Sequence, residues 1–173
     1  MSEQKTIEEN IEKFISGDAL EDALNFVDYL KMNNIMVVFS GHENVWHIRC
    51  EKDEHICVIV LFDDPFTPIC FYDGVTKQSG HWTIFWGDYD KYEHYDVQVD
   101  DNFKEFCWAS VHICENCPCN NKMNMRKTIF GKDFENLCHC SLVFTNPDAA
   151  ALEHIKKLVK MRKLNIADEK CAQ

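Results

Sequence analysis

The chain has 173 residues, a hydrophobic fraction of 46% and a formal net charge of −11 at pH 7. The length suits a single domain, and the apolar and aromatic content excludes a disordered chain. The acidic balance argues against nucleic acids and anionic membranes as partners, because both are bound through basic surfaces.

The first residues, MSEQKTIEENIEKF, have no cationic start followed by an apolar core. No apolar run approaches the ~20 residues that span a bilayer. We therefore expect a cytoplasmic protein. A reducing compartment keeps thiols from forming disulfides, so we expect the ten cysteines to bind metal, react or pack as small apolar side chains.

The first 33 residues predict two helices. Each begins with a capping-box pattern, Thr6 with Glu9 and then Asp18 with Glu21. The second helix has an apolar face at helical spacing, which predicts packing on a core. That face consists of Leu20, Ala23, Leu24, Val27 and Leu30.

From Ile35 to Trp86 the pattern changes to short strands. The runs are IMVVFS, VWHIRC, HICVIVLF, ICFY and HWTIFW. The short links between them favour an antiparallel meander of about five strands. HICVIVLF is apolar on both faces, so we expect a central strand covered by helices on each side. In the last run Trp82, Ile84 and Trp86 share one face.

Further along the chain, Asn102 with Glu105 predicts a helix through about His112. TIFG and NLCHCSLVF predict two more short strands. Asn146-Pro147-Asp148 predicts the start of a last helix that ends near Asn165. The expected fold is therefore α+β, one domain over residues 1–173, with an antiparallel sheet flanked by amino- and carboxy-terminal helices.

The last helix carries the one dense group of basic side chains in the sequence. A solvated face near the helix carboxyl end explains this group better than an anion site does. The group is Lys156, Lys157, Lys160, Arg162 and Lys163.

Five of the ten cysteines lie between residues 114 and 140 and predict a cysteine-rich, metal-binding insertion over 112–140. Their C-x2-C-x20-C-x-C spacing is close to that of small structural zinc sites. In an extended strand Cys138 and Cys140 stand roughly 6.6 Å apart, which is awkward for one ion. The predicted zinc ligands are Cys114, Cys117, Cys119 and Cys138, with Cys140 as the substitute.

Several weaker candidates accompany this set. His112 and His139 could also ligate zinc. An aromatic pocket for a small ligand is a further possibility, although core packing explains most aromatic residues better. The pocket candidates are Trp46, Trp82, Trp86 and Tyr89. The single cysteines Cys50, Cys57, Cys70 and Cys107 are expected to be small buried side chains.

Three functions fit this sequence. The first is a small-ligand-binding or regulatory module with a structural zinc site, since a closed four-ligand site leaves no position for water. The second is a thiol-redox or metal-assisted enzyme using Cys114 and Cys117. Against the dithiol, the pair follows a predicted helix carboxyl end, whose dipole raises a thiol pKa. The third is a protein-interaction module with an unknown partner.

The carboxy-terminal half also contains a longer motif string. C-x2-C-x-C is followed by TIFGKDFENLC at 128–138 and FTNPDA at 144–149. From about Phe103 onward this string resembles an uncharacterised family of small cytosolic proteins from anaerobic gut bacteria. The resemblance implies a fourth ligand at the position of Cys138, but no biochemical activity. The sequence departs from the family pattern by Asn-Asn after Cys119 and by the additional Cys140.

Overall fold

The computed structural model describes residues 6–42, 44–50, 54–62, 80–87, 92, 99–113 and 125–171, without the side chains of 62, 138, 139 and 168–171. Four helices lie in this part: α1 (Ile7–Phe14), α2 (Asp18–Met32), α3 (Asp101–Ala109) and α4 (Ala149–Cys171). The strands are β1 (Met36–Phe39), β2 (Val45–Arg49), β3 (His55–Phe62), β4 (His81–Gly87), β5 (Val111–Ile113), β6 (Met125–Ile129) and β7 (Lys132–Thr145). The α+β class is confirmed.

The strands form one antiparallel sheet with the order β1-β2-β3-β4-β7-β5, and β6 also pairs with β7. Seven strands therefore lie in the described part, and the expectation of about five was wrong. The antiparallel pairing of β1 to β4 in chain order is confirmed, but β3 pairs directly with β4, whereas the predicted meander placed the ICFY run between these two strands. The meander stops at β4, because β4 takes β7 as its next neighbour. The predicted strand ICFY lies outside the described residues.

The amino-terminal helices begin in different ways. At α1 the capping box is present, since the Thr6 N–H donates to Glu9 Oε2 at 2.8 Å and the Glu9 N–H donates to Thr6 Oγ1 at 3.3 Å. At α2 the predicted box is wrong. The capping residue there is Gly17, with φ of 66° and no side-chain cap. Glycine adopts this conformation readily, and it turns the chain sharply between the two helices.

The main core lies between the helices and one face of the sheet. All four helices contribute buried side chains to it, for example Ile11, Phe26, Phe103 and Leu158. The opposite face has a smaller buried cluster, centred on Val60 and Phe85, that contains strand residues alone. β3 is buried on both faces, as predicted. In the described part the helices pack against one face, and the expectation of helices on the other face stays a prediction.

The later helices differ from prediction at their ends. Asp100, not Asn102, caps α3 by accepting the Phe103 N–H at 2.8 Å. α3 ends at Ala109, and His112 lies in β5. α4 begins after Asp148, whose Oδ1 accepts the Ala151 N–H at 2.8 Å, and it continues to Cys171.

The longer α4 reflects continued packing, because Ile166, beyond the predicted end at Asn165, is still buried. No helix of the described residues is long and apolar enough to cross a membrane.

Candidate functional site

Most of the predicted zinc ligands lie outside the described residues. This holds for Cys114, Cys117 and Cys119, and for the side chain of Cys138, whose backbone belongs to β7. The substitute, Cys140, is half-buried and packs against the cluster of Val60 and Phe85 on the second sheet face. Among the described residues no group of three or more His, Cys, Asp and Glu side chains could hold a metal ion.

Three strands meet at Leu137 of β7. On one edge of β7 this residue pairs with Ile113, the last residue of β5, and on the other edge with Met125, the first residue of β6. Adjacent strands lie about 4.8 Å apart, so Ile113 and Met125 stand about 10 Å apart on either side of Leu137. This three-strand junction is part of the main sheet.

Chain connectivity relates the junction to the cysteines. Cys114 follows Ile113 and Cys138 follows Leu137 in the sequence. The Cα atoms of Ile113 and Leu137 lie up to about 5.5 Å apart across the strand pair, so each of these two cysteines follows one member of the same cross-strand pair.

β7 is irregular on both sides of Cys138. Asn136 has φ of 57°, next to a register shift against β6. A second shift, between Trp86 and Gly87 of β4, lies opposite Cys140. Such bulges bend a strand locally and redirect its side chains. The expectation of an extended strand around Cys138 is confirmed, but the strand is not straight.

His112 lies in β5, which faces the irregular part of β7. Burial lowers the pKa of its ring below the usual value, so the ring is neutral near pH 7. A neutral imidazole is the form that binds metal. The position of β5 also removes the objection to a reactive dithiol at Cys114 and Cys117. That objection was wrong, because a strand, not the end of a helix, precedes the pair.

A pocket of about 270 Å³ lies between the start of α1, the end of α2 and the β1–β2 hairpin. The rings of Phe39 and Trp46, which face each other across the hairpin with centroids 5.9 Å apart, form its aromatic wall. The lining residues are Thr6, Ile7, Glu8, Lys31, Val37, Phe39 and Trp46. Its volume is close to the lower end of the 300–1,000 Å³ range usual for ligand sites.

One side of this pocket, which we call the Trp46 pocket, is charged. Lys31 Nζ donates to Glu8 Oε1. Burial alone would raise the pKa of Glu8, but the hydrogen bond and the charge of Lys31 outweigh it and hold this pKa below its usual value. The pair therefore places a carboxylate and an ammonium group beside an apolar wall.

The other predicted aromatic candidates do not line this pocket. Trp82 and Trp86 are fully buried in the main core, and Tyr89 lies outside the described residues. Of the predicted buried cysteines, Cys50, Cys57 and Cys107 are buried, and Cys70 lies outside the description. Burial raises the pKa of Cys107 to about 12, so this thiol stays protonated and unreactive.

The basic side chains of α4 do not act as one patch. Lys156 pairs with Glu153, and Lys157 pairs with Asp100. Lys163 donates at 2.7 Å to the carbonyl of Asn33, which caps the carboxyl end of α2. Arg162 is buried. These contacts agree with the expectation that the basic side chains of α4 have local structural roles and do not form an anion site.

Comparison with protein-family models, with curated proteins and with solved structures found no match to this chain.

Sequence reasoning missed two groups of residues. Thr6, Glu8 and Lys31 join the Trp46 pocket through tertiary contacts of the helices, which local patterns do not reveal. His47 and His55 contact each other across β2 and β3, although no spacing between the histidines had suggested a site. Their positions in two consecutive predicted strands were the available signal.

Proposed function

We propose that this protein is a binding module whose Trp46 pocket takes the apolar part of a small ligand. The observation that carries the proposal is the combination of an aromatic wall, Phe39 and Trp46, with the polar groups of Thr6, Glu8 and Lys31 in one concave site. Apolar walls with a few polar groups are typical of small-molecule sites. The expectations of a cytoplasmic location and of no nucleic-acid or membrane partner stay predictions.

The size and chemistry of the pocket restrict the ligand. An apolar cavity of about 150 Å³ holds benzene, so a pocket of about 270 Å³ suits one or two rings or a short branched chain. Because Glu8 and Lys31 satisfy each other, we expect the ligand to offer both hydrogen-bond donors and acceptors, and not a single net charge, at its polar end.

A pair of substitutions on β1 tests this proposal. Val37 lines the pocket, whereas Val38 lies on the opposite sheet face with 37% of its surface exposed. We expect Val37→Trp to fill the pocket and to weaken the binding of small aromatic probes, such as indole and phenol, at least tenfold. Val38→Trp should bind them as the wild type does. Amide chemical shifts of β1 and β2 during titration measure both affinities.

The proposal fails if the wild type binds none of these probes, or if both variants lose affinity equally. In the second case the tryptophan disturbs the strand and the pocket is not the site.

We also propose a structural zinc site formed by Cys114, Cys117, Cys119 and Cys138. The three-strand junction at Leu137 favours it, because the segment that carries three of these cysteines begins and ends beside the strand that carries the fourth. Four thiolates would close the coordination shell, so the ion would connect the chain that follows β5 to β7 and would not catalyse. This supports the binding module and opposes the thiol enzyme.

The metal content of the purified protein tests this second proposal. We expect near one zinc per chain in protein purified without a metal-binding tag, lost in Cys138→Ser and kept in Cys140→Ser. Cys140 is the matched control, because it lies on the same strand but packs against Val60 and Phe85. Zinc-free wild-type protein with titratable thiols would contradict the site and favour the Cys114–Cys117 dithiol. If zinc is lost in Cys140→Ser and kept in Cys138→Ser, the fourth ligand is Cys140 and not Cys138.

A further inference from the structure

Two histidines on neighbouring strands point ring nitrogens at each other. His47 Nδ1 in β2 lies 3.2 Å from His55 Nε2 at the start of β3, and the ring centroids are 5.3 Å apart. A bulge between Ile48 and Arg49 makes this possible, because it sets His55 opposite Arg49. Without the shift the alternation of side chains would put Ile56 opposite Arg49, on the sheet face that carries His47.

The separation of the two nitrogens fits a shared metal ion. Two imidazole nitrogens at 2.0–2.1 Å from a tetrahedral zinc stand about 3.3 Å apart. The observed 3.2 Å is also compatible with a hydrogen bond, in which one ring donates and the other accepts. An ion could therefore replace the shared proton with little movement of either strand.

We propose that His47 and His55 form an open two-imidazole site for a borderline transition-metal ion, Zn²⁺ or Cu²⁺, whose remaining positions are taken by water or an external ligand. Calcium and magnesium do not suit the site, because they require oxygen ligands. The site uses none of the cysteines and none of the residues of the Trp46 pocket. It is therefore independent of both proposals above.

The rings are in the form that binds metal. Burial lowers the pKa of His55 to about 4, helped by the charges of His47, Arg49 and Arg162. Burial also lowers the pKa of His47, with contributions from Arg49 and His42. Both rings are therefore neutral near pH 7. When both facing nitrogens bind the ion, the shared proton moves to the far nitrogen of its own ring, so no proton is released to solvent.

The surrounding charges select among metal ions. The guanidinium groups of Arg49 and Arg162 oppose any cation beside His55. An ion must offset this repulsion through strong bonds to nitrogen. This favours Cu²⁺, at the top of the stability order for such ligands, and also Zn²⁺, which imidazole binds well. The net charge of −11 favours cations at longer range.

Histidine NMR tests this site with zinc itself as the probe. Protein as purified, which keeps any ion bound to the cysteines, is titrated with zinc sulfate while the imidazole ¹⁵N signals are followed. We expect the signals of His47 Nδ1 and His55 Nε2 to shift together, to saturate at one added ion per chain and to return when EDTA is added.

Two variants complete the test. His47→Gln, at a half-buried ring, should abolish the zinc-dependent shift of His55. It should also weaken zinc binding at least about tenfold, because even the loss of a residue that only supports a ligand costs about that much affinity. His154→Gln, on α4 against Phe106, should leave both shifts intact. Signals of His47 and His55 that do not move at excess zinc would overturn the proposal and leave a hydrogen bond alone. A His55 shift that survives His47→Gln would overturn it as well.

Discussion

Trp82→Ala is expected to lower the free energy of unfolding by about 3–5 kcal/mol, the usual cost of removing a large buried aromatic side chain. Trp82 is fully buried in β4, and its ring centroid lies 6.1 Å from that of Phe26 in α2. The ring therefore fills the space between the sheet and the second helix. Since domains are stable by only about 5–15 kcal/mol, this one truncation removes a large share of the total.

Trp82→Phe is the matched variant. The Nε1–H of Trp82 is buried and has no hydrogen-bond partner among the described residues. Phenylalanine removes this unsatisfied donor and keeps most of the ring, so we expect a loss of less than about 1.5 kcal/mol. Urea unfolding followed by circular dichroism measures both changes. Equal costs for the two variants would contradict this account of the core, and a negligible cost for Trp82→Ala would return Trp82 to the ligand-pocket candidates.

The second large effect is expected at the three-strand junction. Leu137 is fully buried and pairs with β5 on one side and β6 on the other. Leu137→Ala should cost about 2–5 kcal/mol through lost burial and a residual cavity. Because the cavity lies where β5, β6 and β7 meet, the amides of these strands should lose protection from hydrogen exchange before those of β1 and β2 do.

Glu135→Ala is the control for this experiment. Glu135 lies on the same strand, is exposed, and pairs at 3.0 Å with Arg126 on the surface of β6. Exposed ion pairs contribute about 0–1 kcal/mol, so this variant should change little. Uniform loss of protection across the whole sheet in Leu137→Ala would show that the junction does not unfold as a local unit.

Local patterns predicted the elements better than their arrangement. HICVIVLF was placed correctly as a central strand, and Trp82, Ile84 and Trp86 share one buried face as the alternation required. The pairing of β4 with β7 was not visible, since it joins segments far apart in the sequence and depends on the folded core. Near the start of α3 both Asp100 and Asn102 are residue types that cap helices about equally well. The sequence therefore did not show that Asp100 is the residue that caps α3.

In the candidate sites, too, local features were predicted better than tertiary contacts. Trp46 was among the predicted pocket residues and does line a pocket, but the charged pair beside it comes from two helices whose contact with β1 is tertiary. The pair of His47 and His55 depends on a bulge, and a shift of one residue is invisible in hydrophobic alternation. The zinc ligands, by contrast, were inferred from the cysteine spacing, from strand geometry and from a family resemblance, and that assignment stays a prediction.

The pairing of β4 with β7 also has a consequence for synthesis on the ribosome. The first four strands follow one another along the chain and can pair as they emerge, but the outer edge of β4 receives its partner only when residues 140–145 have been made. During that interval a strand containing Trp82, Phe85 and Trp86 is left with an unpaired edge, the kind of surface that promotes association between nascent chains. The acidic composition opposes such association, because nascent chains of the same negative charge repel each other. The excess of carboxylates therefore reduces aggregation at a stage when the sheet is still incomplete.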